Sequence, residues 1–383
     1  VTLSELDDHF VHRTPQVCSG SGGVPSRDPR FFERHWNVWH DDTGDLIVAT
    51  GGSWYPNLGR VEAYAIVNFR GEHLSVRGMR PAREPGQARG LGQARGLGQD
   101  PQAGEDLAVG PIRPTVLAGL RRWRHTVEPG PWGFSYDLTW TDTHRQVYGA
   151  SWGPAVETGE RQVTAGFEGF GTVTGWIDIG GTRTEWAPGL AHGTRDRHWG
   201  VGRGVGGPRL NGARTHRGGW KGGIWIDLGD VGLWGKRLLY PAGDARAGAG
   251  AVREIDRRLR FEPGTEIFTA GLIDLVFDDG SLRRLRLTRL GNQTAFMRCG
   301  FYGGTPGSGL GHGEYDGPEL IEWDSFDVND PAVRRELRGL DEHHCLVEAD
   351  GAPAVTGVLQ PLEPDAYLAC VAGRPGWRLW ESS

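Results

Sequence analysis

Cysteine is scarce: Cys18, Cys299, Cys345 and Cys370 are the four in 383 residues, far apart in sequence. That spacing makes neither a disulfide framework nor a thiolate zinc site, so no structural metal and a cytoplasmic location are expected. No apolar run approaches the roughly 20 residues that a membrane-spanning helix needs, which excludes stable membrane insertion by helices. Positive charge is also short. Lys and Arg total 42 against 48 Asp and Glu, and both signs are interleaved, leaving no basic stripe for nucleic acid and no polybasic anchor for a lipid surface. The segment Val1–Asp8 lacks a basic region followed by an apolar core, so no signal peptide is expected. Helical periodicity is rare, and its best instance is Asp330–Gly339, with an N-cap aspartate, Pro331 at the first position and a terminal glycine.

What is plentiful is turn chemistry and aromatic bulk. Sixty-three glycines, 23 prolines and 16 tryptophans, with 37% hydrophobic residues, describe antiparallel β-structure. Asp41-Asp42-Thr43-Gly44, Gly180-Gly181, Asp279-Gly280 and Asp350-Gly351 each divide two strand-like runs in the manner of hairpin turns. Alternation in Val61–Val67 and in Leu285–Thr288 predicts strands with one wet and one buried face. The duplicated hexapeptide at 87–92 and 93–98 is too short for a solenoid unit and reads as a mobile surface loop. The length exceeds one ordinary core, and strand signals occur in two successive sets. The expected fold is therefore all-β, with two consecutive barrels or sandwiches, residues 1–188 and 189–383, packed against each other.

The densest chemistry lies in the run Gly193–Val201, which holds Arg195, Asp196, Arg197, His198 and Trp199. On an extended strand Asp196 and His198 share one face while Arg195, Arg197 and Trp199 take the other, which puts an acid and a base together. The plain alternative is that Asp196 pairs with an arginine, His198 sits in a hydrogen-bond network and Trp199 is core. A second aromatic and polar concentration includes Trp36, His40, Trp54 and Tyr55. If it lines the mouth of the first barrel it faces the central run across a domain boundary, a usual place for a ligand pocket; otherwise its tryptophans fill that barrel.

Other motifs carry less. Gly202–Gly207 has the letters of a dinucleotide fingerprint but no helix pattern behind it. His343 and His344 are neighbours on a strand and point apart, which disfavours a shared metal ion. No Gly-x-Ser-x-Gly elbow is present. Glu168, Asp178, Glu185, Glu314, Glu322 and Asp324 lie near aromatics, the pattern of a sugar-active protein, yet spacing does not pair them.

Gly193, Arg195, Asp196, Trp199 and Gly200, set between two strand-rich halves, resemble the central motif of the carotenoid 1,2-hydratase-like (hydroxyneurosporene synthase-like) family of the lipocalin-like superfamily. Many members read Arg-Asp-His-Ser-Trp-Gly there; this chain has Arg197 and His198 in place of His-Ser, so the histidine is displaced by one position. The resemblance implies two lipocalin-like antiparallel barrels. It implies a cofactor-independent hydratase or dehydratase acting on a carbon–carbon double bond of an apolar isoprenoid or polyketide-like molecule. A cyclase or isomerase of the Diels–Alder type and a non-catalytic carrier are the alternatives. Asp196 is then the expected proton donor, its pKa raised by an apolar cavity. His198 or a second carboxylate handles the water, and Trp199, Arg195, Trp36, His40, Trp54 and Tyr55 contact the substrate.

Overall fold

The structure is a computed structural model describing residues 3–10, 28–82, 106–143, 147–154, 161–202, 204–211, 223–227, 232–234, 237–239, 252–263, 267–277, 279–360, 373 and 377–380. The duplicated hexapeptide, Arg203, Cys18 and Cys370 lie outside the described residues.

A 3₁₀ turn, Glu5–Asp8, precedes strands β1 (Phe31–Asp41), β2 (Leu46–Tyr55), β3 (Arg60–Phe69), β4 (Glu72–Pro81), β5 (Ile112–Ala118), β6 (Arg122–Val127), β7 (Phe134–Asp142), β8 (Val147–Pro154), β9 (Arg161–Ile179), β10 (Thr182–Trp186) and β11 (Ala191–Val201). The short helix α1 (Gly207–Asn211) leads to β12 (Gly223–Asp227), β13 (Gly232–Trp234), β14 (Arg237–Leu239), β15 (Val252–Phe261), β16 (Phe268–Phe277) and β17 (Leu282–Phe296). After a second 3₁₀ turn, Met297–Gly300, come β18 (Leu320–Asp327), α2 (Pro331–Leu337), β19 (Asp341–Ala349), β20 (Val355–Gln360) and β21 (Trp377–Leu379).

The chain is all-β, in two sheets. The first has twelve strands, in the order β18-β4-β3-β2-β1-β11-β9-β7-β6-β5 with β8 and β10 also on β9; the second has nine, β14-β13-β12-β20-β19-β17-β16-β15-β21. Pairing is antiparallel throughout the described residues except where β21 runs parallel to β15. The four hairpin turns fall where the glycine and aspartate pairs place them: β1–β2, β9–β10, β16–β17 and β19–β20. Asp330 caps α2, its side chain accepting from the Ala332 amide.

The first sheet curls around one interior. Trp39, Trp54, Trp123, Trp140 and Trp186 form its centre with Val48, Val61, Val76 and Leu138. A smaller core in the second sheet gathers Leu259, Phe268, Ile273, Leu275, Leu285, Leu287 and Val347. β17 shows the expected one-sided burial, with Leu285 and Leu287 buried and Arg286 and Thr288 exposed. β1 to β4 depart from it, being buried on both faces almost throughout. The reason lies in packing: the second sheet and the turn Met297–Gly300 cover their outer face, where Trp36, Val38, Ile47, Tyr64, Ile66 and Phe170 meet Phe296, Met297, Tyr302 and Val358.

Two connections depend on distant contacts. β11 begins after the expected join at residue 188, yet it is hydrogen-bonded between β1 and β9 in the middle of the first sheet. β18 likewise returns from late in the sequence to pair with β4. Division of the chain at 188 would split the first sheet between β10 and β11. A short helix, α1, also follows the glycine run at 202–207, contrary to the sequence expectation. The antiparallel sheet that feeds it is not the βαβ unit a dinucleotide requires.

Candidate functional site

Strand pairing places two rows of side chains side by side on the covered face of the first sheet. One row runs Glu168, Asp196, Trp36, Gly51, Tyr64, Arg77 and Glu322 across β9, β11, β1, β2, β3, β4 and β18. The adjacent row runs Gly166, His198, Arg34, Ser53, Glu62 and Met79. Glycine makes room in both. A Cβ on Gly166 would lie 2.3 Å from His198 Cδ2, and one on Gly51 would lie 2.4 Å from the Tyr64 hydroxyl. Without side chains there, the imidazole and the phenol reach over their neighbouring strands.

His198 sits between two carboxylates, Nδ1 3.1 Å from Asp196 Oδ2 and Nε2 3.1 Å from Glu168 Oε1. Burial disfavours its charge, but Asp196 first and then Glu168 more than offset that, so its pKa is raised to about 9 and the ring is an imidazolium at neutral pH. The Asp196 and His198 side chains keep 14% and 11% exposure. Asp196 Oδ1 makes no hydrogen bond with a described residue. Above Trp36 lies Glu342 of β19, to which Gln360 and Trp36 donate. Its pKa is pushed well above the ordinary carboxyl range, by burial first and then by the charges of Asp341 and Asp196, which favours its protonated form.

Further along, Glu62 accepts from the Tyr55 hydroxyl at 2.5 Å and from the Gly313 amide at 3.1 Å, and lies 2.6 Å from His312 Nδ1. These partners and Arg34 outweigh its burial, and its pKa is lowered. Tyr302 stands edge-on to Tyr64, with ring centres 5.9 Å apart, and 4.4 Å from His312. It follows buried Phe301, whose φ of +71° turns the chain toward the site.

The other face of β11 is structural. Arg195 is clamped by Asp8 (2.7 Å) and Asp142 (2.8 Å), and Arg197 by Glu33 (2.7 Å) and the carbonyls of Asp8, His9 and Arg34. Trp199 packs with Phe31, Ala165, Phe167 and Val201. Neither Arg195 nor Trp199 is therefore beside the Asp196–His198 pair, and neither Arg195 nor Arg197 is the ion partner of Asp196. Of the second group, Trp36 adjoins Asp196 in the same sheet rather than across a boundary. Trp54 belongs to the interior of the curled first sheet, and Tyr55 serves Glu62. His40 meets the tilted ring of His344 at 4.3 Å and lies edge-on to His192 at 4.9 Å, a separate cluster near the end of β1. His343 turns the other way, to Thr294. Sequence reasoning missed Arg34 and Glu342. Arg34 lies two residues before Trp36, and Glu342 one residue before His343.

Glu168, Asp196 and His198 also offer one ligand atom each within 4.8 Å of one another. A cation there would displace an imidazole proton, because both ring nitrogens already face carboxylates.

The described residues form an all-β protein with a buried acid–base cluster between two sheets. The chain belongs to a family of unknown function, DUF8625, whose model matches residues 3–229 and so spans the strands carrying Arg34, Glu168, Asp196 and His198. No curated protein matches. Among solved structures it is similar to CghA, with 10% identity, a TM-score of 0.41 and 87% of each chain covered, a likeness too slight to bear on function. No helix among the described residues is long and apolar enough to cross a membrane.

Proposed function

We propose that this protein is an acid–base enzyme that adds or removes water at a carbon–carbon double bond of an isoprenoid or polyketide-like molecule held between its two sheets, which we read as lipocalin-like barrels. The observation that carries the reading is the placement of Glu342, which projects from the second sheet onto Trp36 and faces the Asp196–His198–Glu168 group of the first, beside aromatic surfaces. Glu342 gives its proton to one alkene carbon, and water bonds to the other. Asp196, through Oδ1, which has no hydrogen-bond partner among the described residues, takes the proton the water loses. Return of that proton from Asp196 to Glu342 restores the resting state. Asp196, expected from sequence to be the acid, is the base in this scheme, and His198 positions it. Trp36 and Tyr64 replace Trp199 as the faces that stabilise developing positive charge, an attraction of about 1–2 kcal/mol when desolvated. The motif shared with the carotenoid 1,2-hydratase-like family supports the same chemistry.

Incubation with terpenoid and polyketide alkenes in heavy-oxygen water tests the proposal. The expected result is a product carrying the label. An unlabelled isomer would replace hydration by cyclisation or isomerisation, and a bound but unchanged ligand would make the protein a carrier.

A further inference from the structure

Among the described residues, four arginines lie fully buried in the first sheet, and three of them are saturated with partners. Arg195 is held by two carboxylates, and Arg197 by one carboxylate and several carbonyls. Arg77 contacts Glu322, Asp324 and the carbonyls of Cys299 and Pro306. Arg34 is the exception. It is 1% exposed, and none of its three guanidinium nitrogens makes a hydrogen bond with a described residue.

Its position makes this informative. In register Arg34 faces His198 on one side and Ser53 on the other, at the centre of the row beside Asp196 and Trp36. The guanidinium carbon lies 4.7 Å from the Phe32 ring centre and 5.8 Å from that of Tyr302, contacts that hold the planar group without engaging its N–H fork. A guanidinium does not deprotonate in a protein, and although Glu62 and Asp196 favour its charge, buried N–H groups that find no hydrogen-bond acceptor are costly. Glu62, the nearest acid in its own row, is already engaged by Tyr55, His312 and Gly313.

We propose that Arg34 receives the carboxylate of an otherwise apolar substrate, so that the molecule bound between the sheets is an apolar acid rather than a neutral hydrocarbon; this rests on the reading that the covered face is the substrate site. The planar fork matches a carboxylate through two parallel hydrogen bonds. A singly charged group fits better than a phosphate dianion, because the carboxylates of Glu62 and Asp196 already act on the guanidinium. The apolar remainder lies across Trp36, Tyr64, Phe170 and Tyr302, which share this face. Anchoring the acid at Arg34 sets the reacting part of the chain beside Asp196.

The test compares decanoate, decanol and acetate as ligands, below micelle formation, by calorimetry and quenching of tryptophan fluorescence, on the wild type, Arg34→Gln and Arg34→Lys. Decanoate is expected to bind the wild type at least about tenfold more tightly than decanol, and acetate far more weakly than decanoate. Arg34→Gln should bring decanoate to the level of decanol and leave decanol unchanged, while Arg34→Lys keeps part of the preference. Equal affinity for acid and alcohol, acetate as tight as decanoate, no decanoate binding, or a preference that survives Arg34→Gln would each overturn the proposal. Should Arg34→Gln fail to fold, the three-ligand comparison on the wild type and Arg34→Lys decides it. Decanoate selectivity without label uptake from heavy-oxygen water would remove the hydratase reading and leave this one standing.

Discussion

His198 Nδ1 lies 3.1 Å from Asp196 Oδ2, two residues away on the same face of one strand. The pair is completed by Glu168 on the neighbouring strand, at the same distance from the other ring nitrogen. This arrangement holds a positive charge in a buried place and gives Asp196 a fixed orientation.

Titration of His198 followed by NMR should give a pKa near 9, against 6.5 for a free imidazole. Because the folded value is raised, the stability this residue contributes is fully present below 6.5 and is lost as pH rises through about 9. The contribution is no more than about 3.5 kcal/mol, since each tenfold gain in proton affinity is worth about 1.4 kcal/mol. His198→Gln should remove that part of the pH dependence of urea unfolding; an unchanged profile would mean that the ring is not charged.

Asp196→Asn keeps the shape and removes the charge. The His198 pKa should fall by at least about one, stability by about 1–2 kcal/mol, and turnover by about 10²-fold. Calorimetry, NMR titration and an activity assay on the same variant check these together. Full activity would remove Asp196 from the mechanism.

Arg195→Met should behave as a structural lesion. It leaves Asp8 and Asp142 buried without their cation, at a cost of about 3–5 kcal/mol in urea unfolding. Adding Asp8→Asn to it should recover part of the loss, since the two residues are coupled. A loss below about 1 kcal/mol would contradict the clamp.

Glu342→Gln tests the neutral acid. A carboxyl whose folded pKa is raised penalises the wild type as pH climbs above 4.5, so the variant should be at least as stable at neutral pH and lack that dependence. Its turnover should fall by about 10²-fold. Marked destabilisation at neutral pH would instead identify an ionised Glu342 with a partner of its own.

Much of this molecule is legible along the chain because its signals are local. Alternation in the Gly193–Val201 run places Asp196 with His198 and apart from Arg195, Arg197 and Trp199, as the two-residue period of a strand requires. Trp36 stands out by its aromatic surroundings, and Glu168 as an acid near aromatics. Their roles were not legible, nor was Arg34, which in sequence is one arginine among many. What distinguishes it is that no described residue accepts a hydrogen bond from its guanidinium, a property of everything around it.

The hairpin turns, the all-β class and the capped helix at Pro331–Leu337 follow from amino-acid order, since turn geometry, side-chain alternation and helix capping act over a few residues. Which strands became neighbours did not. The pairing of β1 with β11, the return of β18 to β4 and the placement of Glu342 over Trp36 join residues far apart in sequence, and such contacts form only when the whole apolar surface is buried together. The charges followed from that burial. His198 gained a proton between two carboxylates and Glu342 kept one for want of a cation, because desolvation and neighbouring charge are set by three-dimensional surroundings.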